Sequence, residues 1–200
     1  VSLKEYWYIA AEGSELGAKP LSCVVLGERL VLFRGADGRP AALEDRCAHR
    51  NIALSEGRVE AGTLRCRYHG WRYDAGGTCV QVPALGPDAS LPRRACVRSY
   101  PCVESQGYVW VYPGAGQPPA EPPAFAHKGE PGWTSFTMRN DFAGTVEACL
   151  ENFLDCPHTV YVHRGWFRTS DPRPLEAVVA RDAEGARADF KDEPISESVV

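Results

Sequence analysis

Short apolar runs bounded by charged or turn-forming residues dominate the first half of the chain. Arg29-Leu-Val-Leu-Phe-Arg34, the turn Gly35-Ala-Asp-Gly38 and Pro40-Ala-Ala-Leu-Glu44 form one hairpin pattern. Trp71-Arg-Tyr-Asp74, Ala75-Gly-Gly77 and Thr78-Cys-Val-Gln-Val82 form another, and Tyr108-Val-Trp-Val-Tyr112 is a strand of high β propensity. Residues 114–123 then break the pattern, being too rich in Pro and Gly for regular structure, and read as a linker. Beyond it, Trp133 to Phe142 predicts a strand. Thr145 caps a predicted helix over Val146 to Asp155, and Leu175 to Arg181 with Ala186 to Lys191 predicts a last hairpin around Asp182-Ala-Glu-Gly185. The expected class is α+β, mainly β: a small antiparallel β domain at 1–113, the linker at 114–123, and a second, mixed domain opening at 124–200.

Composition narrows the class. With 200 residues, 44% hydrophobic, and net charge −4, the chain resembles an ordinary globular protein and carries no basic patch for nucleic acid. No apolar run approaches the ~18 residues that a membrane span needs, and the first residues lack a signal-peptide layout, so the expected location is cytoplasmic. Of the eight cysteines, Cys23, Cys79, Cys96, Cys102, Cys149 and Cys156 show no disulfide framework and are expected to be buried reduced thiols.

The other two cysteines carry chemistry. Cys47-Ala-His49 and Cys66-Arg-Tyr-His69, with sixteen residues between them, present two thiolates and two imidazoles in matched order. That set suits a [2Fe–2S] centre in which two Cys hold one iron and two His the other. Each fragment is too short to wrap a metal alone, so each is expected to be a tight loop and the two loops to meet. Trp71 and Tyr73 can supply an apolar cover. Tetrahedral zinc is the competing reading, although zinc modules usually pair Cys with Cys and His with His.

Cys47-Ala-His-Arg-Asn-Ile-Ala-Leu-Ser-Glu-Gly57 followed by Cys66-Arg-Tyr-His-Gly-Trp-Arg-Tyr73 resembles the Rieske domain of bacterial aromatic-ring-hydroxylating and demethylating oxygenases. Asn51 stands where Gly is commoner and Arg67 where Pro is commoner. Respiratory Rieske proteins add a disulfide whose cysteines would fall at Ile52 and Tyr68, so the resemblance is to the oxygenase or ferredoxin branch. Runs such as Ala42-Leu-Glu-Asp-Arg-Cys47 look more like the monooxygenases and O-demethylases than the ring dioxygenases.

A second histidine set lies downstream. His158 and His163, five positions apart, would sit about 140° apart on a regular helix, and Pro157 supplies the break that lets both approach one ion. Asn152-Phe-Leu-Asp155-x-x-His158-x-x-x-x-His163 resembles the mononuclear non-haem iron motif of the same oxygenases. That resemblance implies His158 and His163 as ligands to Fe(II), Asp155 as the electron and proton bridge to a neighbouring subunit's cluster, and Asn152 close to the iron. It also implies a helix-grip catalytic domain, a third carboxylate ligand far downstream, and a homotrimer. Asp171, Asp182, Asp189 and Asp192 lack the helical context for that third ligand, so none is assigned, and the chain reads as a truncated subunit.

The expected function is therefore that of an oxygenase component. Electrons from NAD(P)H reach the [2Fe–2S] cluster through a separate reductase or ferredoxin and pass to the mononuclear iron, for O2-dependent hydroxylation or dealkylation of a small organic, aromatic substrate. The alternatives are a Rieske electron-transfer protein without oxygenase activity, or an inactive or split scaffold.

Overall fold

The computed structural model describes residues 2–86, 90–91, 94–163, 174, 176–182 and 185–191. Two compact units, Val1–Ser135 and Phe136–Val200, make up the chain.

The first unit is built from β1 (Tyr8–Glu12), β2 (Leu21–Val25), β3 (Glu28–Arg34), β4 (Pro40–Glu44), β5 (Arg58–Glu60), β6 (Thr63–Arg65), β7 (Arg72–Tyr73), β8 (Cys79–Gln81), β9 (Ser99–Tyr100), β10 (Cys102–Ser105) and β11 (Tyr108–Val111). They form three sheets of order β1-β11-β10, β2-β3-β4-β9 and β5-β6-β7-β8, with every pairing antiparallel. Three hairpins turn on two residues, Leu26-Gly27, Ala61-Gly62 and Gln106-Gly107, all at positive φ. This is the geometry whose twist matches that of paired strands, and glycine in its second position relieves half of its steric cost.

The β2-β3-β4-β9 sheet is the middle layer. A strand sends alternate side chains to opposite faces, and β3 buries both sets. Leu30 and Leu32 enter a core with Val25, Tyr100, Val109 and Val111. Val31 and Phe33 enter a second core with Leu43, Leu54, Leu64 and Tyr73. Cys47 and Cys66 belong to that second core, so the ligand loops grow out of packed structure. After β11 the chain stays on this unit, because Trp7 Nε1 donates to the Ala120 carbonyl at 2.8 Å and the Gln106 side-chain amide brackets the Phe125 backbone at 2.6 and 3.1 Å.

In the second unit the Thr145 hydroxyl accepts from Ala148 N–H at 3.2 Å and starts α1 (Val146–Leu154). A single 3-10 turn, Cys156–His158, and the short α2 (Thr159–Val162) follow. The hairpin of β12 (Glu176–Arg181) and β13 (Ala186–Lys191) is closed by Asp182 Oδ1, which accepts from Gly185 N–H at 2.9 Å. The strand predicted over Trp133 to Phe142 does not form. Its aromatic residues are exposed, Phe136 to 85%, and no described strand pairs with it. Alternation without a hydrogen-bonded neighbour does not hold a β-strand.

The seven cysteines whose side chains are described are unbridged. Burial pushes the Cys23 thiol up to about 11 and the Cys102 thiol to about 12, which keeps both as inert hydrophobes. Cys96 departs from the expectation in being exposed. Among the described residues no helix is long and apolar enough to cross a membrane.

Candidate metal centres

The two ligand loops are conformational copies. Cys47 N–H donates to the Ile52 carbonyl at 2.8 Å while Asn51 N–H returns to the Cys47 carbonyl at 2.9 Å. In the second loop Cys66 N–H donates to Trp71 O at 2.8 Å and Gly70 N–H returns to Cys66 O at 3.1 Å. Five residues are thus closed in the same way twice. The fourth residue after each cysteine must turn the chain through left-handed space, and Asn51 (φ 57°) and Gly70 (φ 71°) both do so. Asparagine enters this region more readily than other residues with a side chain, so Asn51 in place of the commoner glycine preserves the loop. At Gly70 a Cβ would also lie 3.2 Å from Arg65 Nε and from Pro83 Cγ.

The loops stack their donors in two tiers. Cys47 and Cys66 are buried, whereas His49 and His69 are exposed above them with ring centroids 4.6 Å apart. Burial, and the hydrogen-bonded Cys47 thiol beside it, push the Cys66 thiol up, against the Tyr68 and His69 N–H groups that pull it down. Partial desolvation against its close neighbours, and the His69 and Arg50 charges, hold His49 below its ordinary value. Both influences favour a neutral, metal-ready imidazole. Trp71 stacks flat on His49, 4.9 Å between centroids and 3° between planes, and Tyr68 lies against His69 at 3.9 Å. Arg67, replacing the commoner proline, reaches Glu56 at 2.7 Å.

Tyr73 is more than apolar cover. Fully buried, it accepts the Ala48 N–H at 3.2 Å and lies 3.3 Å from Cys47 Sγ. Either atom of the Tyr73–Cys47 pair can donate, and a metal-bound Cys47 thiolate, having no proton, leaves the phenol as the donor. Burial and the Cys47 thiolate push this phenol far up, so it stays a donor. Nothing in the sequence distinguishes this hydroxyl from an ordinary core tyrosine.

Among the described residues no three His, Cys, Asp or Glu side chains converge tightly enough for one ion. The donors gather instead as a thiol pair and an imidazole pair, which fits a two-iron core with one pair per iron better than one tetrahedral zinc.

The second histidine set is drawn together by the interruption that Pro157 predicts. Helix α1 stops at Leu154, and Asp155 caps it with φ −82° and ψ 75°. The following turn places the His158 and His163 rings 5.5 Å apart, edge to face. His158 Nδ1 hydrogen-bonds to the Asp155 backbone carbonyl and lies 3.8 Å from its carboxylate. A carbonyl only accepts, so Nδ1 carries the proton and Nε2 keeps its lone pair for a metal. Asp155 and Asn152 are exposed. Of the acidic candidates for a third ligand, Asp182 closes the β12–β13 turn and Asp189 pairs with Arg187 at 2.8 Å. Asp171 and Asp192 lie outside the described residues.

A fold of three stacked antiparallel sheets carrying paired Cys-His loops defines a class, and the comparison with known families agrees. Residues 6–101 match the Rieske [2Fe-2S] domain, and the chain belongs to the Rieske proteins. More particularly, it is similar to the N-terminal portion of Rieske oxygenase subunits. It is 36% identical over 185 residues to the putative toluene-4-sulfonate monooxygenase system iron-sulfur subunit TsaM2 of Comamonas testosteroni, covering 92% of this chain and 53% of that protein. With the oxygenase component of dicamba O-demethylase from Stenotrophomonas maltophilia it shares 35% identity, over 91% of this chain and 54% of that one. The structure of Pseudomonas putida CBB5 NdmA with caffeine superposes with a TM-score of 0.84 at 29% identity, over 98% of this chain and 59% of NdmA. The chain spans about half the length of the curated relatives it matches.

Proposed function

We propose that the chain is the electron-receiving part of an oxygenase component. In this reading Cys47, His49, Cys66 and His69 hold a [2Fe–2S] cluster, His158 and His163 supply two ligands to a mononuclear non-haem iron, and Asp155 links the two centres across a subunit boundary. Bound there, the metals supply one-electron transfer and dioxygen activation for hydroxylation or dealkylation of a small organic substrate. The chain's own residues do the rest. The buried cysteines exclude water from one side of the site, the exposed imidazoles offer the route by which electrons enter and leave, and Trp71 fixes the plane of His49. The Asp155 carbonyl holds the proton on His158 Nδ1, and its exposed carboxylate is the group that would meet a cluster-bound histidine of a neighbouring subunit.

In this proposal residues 1–113 constitute the cluster domain, 114–123 a linker held against it, and 124–200 the opening of the catalytic domain, whose compact part begins at Phe136. A reductase or ferredoxin drawing on NAD(P)H is the electron donor, and a homotrimer, in which each iron faces a neighbour's cluster, is the working assembly. The observation that carries the reading is the pair of matched loops with thiols buried beneath adjacent imidazoles.

Iron and acid-labile sulfide analysis of protein prepared with both available tests it. The expectation is an electron-spin signal of a mixed His/Cys cluster, two sulfides per chain, and three irons per chain in a form that includes the third carboxylate. Two irons even then would make the protein an electron carrier. Stoichiometric zinc without sulfide would remove the cluster from the proposal altogether.

A further inference from the structure

Asp45 is the one buried charged residue among those described, 5% exposed overall with its side chain at 0%. It sits between the end of β4 and Cys47, and every group that faces it can donate. Ser55 N–H reaches Oδ1 at 2.7 Å and the Ser55 hydroxyl reaches Oδ2 at 2.7 Å. The Ser22 hydroxyl lies 3.5 Å from Oδ2 and the Arg29 guanidinium 3.9 Å from it. Since Asp45 precedes the first ligand loop and Ser55 follows it, their hydrogen bonds close the loop at its base.

We propose that this clamped carboxylate is also a fixed negative charge that lowers the reduction potential of the [2Fe–2S] centre. The proposal rests on the cluster assignment made above. Asp45 lies two residues from Cys47, so their Cα atoms are no more than about 7.6 Å apart. Cys47 is 2% exposed, which leaves little solvent between the two groups and an effective dielectric constant nearer ~20 than ~80. Among the described residues Arg29 is the one cation within ion-pair reach, and because its side chain is 70% exposed water weakens its pull, so it offsets the carboxylate only in part. Reduction adds one electron, supplied by an external donor, to a centre that already faces this charge, and the added electron is repelled. Net charge near an iron–sulfur cluster is one of the levers on its potential. Asp45 is thus a positioning and tuning residue with no direct contact to the metals.

The test is a redox titration of the full chain, followed by visible absorbance and electron-spin resonance. D45N keeps an acceptor for Ser55 N–H and nearly the same volume while removing the charge. It is expected to retain the mixed-ligand signal and to raise the equilibrium constant for reduction about tenfold, which for one electron is about 59 mV. R29Q removes the opposing cation from the surface. It is expected to act in the other direction, lowering that constant about twofold, with the cluster signal again unchanged. Shifts of opposite sign from the two ends of one ion pair are not produced by a purely structural clamp. The proposal is overturned if D45N, with its cluster intact, titrates within a factor of two of the unaltered chain. It is also overturned if R29Q leaves the potential unmoved or raises it, and this variant decides alone should D45N not fold. An unaltered chain that binds no iron or sulfide overturns the cluster assignment itself, a result distinct from an intact cluster whose potential ignores Asp45.

Discussion

At Tyr73 a single oxygen does two jobs. It accepts a hydrogen bond from Ala48 N–H and, with Cys47 as a metal-bound thiolate, donates one to Cys47 Sγ, and the second bond is worth more when the sulfur is more negative. Reduction makes it so. Tyr73→Phe is therefore expected to lower the cluster potential, by about 40 mV if the bond favours the reduced state by ~1 kcal/mol. Protein-film voltammetry of the two forms reads this directly, and no change would mean that the hydroxyl serves Ala48 alone. Tyr73 and Asp45 illustrate what a sequence conceals. Each belongs to a residue type that is common in β proteins, and only the angles and burial that folding imposes turn one into a donor and the other into a trapped charge. The proposed cluster ligands, by contrast, stand out from spacing because a metal demands particular atoms in a particular order.

Between the residue and the domain lie the ligand loops, whose shared closure depends on a left-handed residue in each. Asn51→Gly is expected to keep full cluster loading. Asn51→Val forces a branched side chain into that conformation and should cost ~1–2 kcal/mol or more. Thermal unfolding and the sulfide content of the purified variants would check this, and equal loading of the Val form would show that the loop tolerates another path. The elements were unevenly readable. The β3–β4 and β7–β8 hairpins are announced by Gly-rich turns between apolar runs, and α1 by its Thr145 cap. The hairpins at Leu26-Gly27, Ala61-Gly62 and Gln106-Gly107 escape notice because their first turn residue is not the Asn or Asp that marks such turns. Strands β5 and β6 are too short, and too rich in Arg and Glu, to show a period. Trp133 to Phe142 misleads in the other direction, since β propensity there meets no partner strand.

At the scale of the whole molecule, the proposed function depends on communication between centres that no single unit contains. Asp155 carries the test. In a longer protein that includes the third iron ligand, Asp155→Asn is expected to keep both centres and normal reduction of the cluster, yet to cut turnover at least ~10 to 100-fold. Single-turnover oxidation of the pre-reduced cluster, with substrate and dioxygen present, is the measurement. Oxidation as fast as in the unaltered protein would return Asp155 to the role of an exposed helix cap. The middle sheet of the first unit bears on a different question, that of how such a protein can vary through descent. Because β3 gives Leu30 and Leu32 to one core and Val31 and Phe33 to the other, no position along that stretch faces water, and none can drift without a compensating change in another layer. The outer sheets do carry exposed positions, among them Ile9 on β1 and Val80 on β8, where a substitution meets water rather than a second core. A lineage can therefore change what the unit presents to solvent while the strand beneath the Cys-His loops stays nearly still.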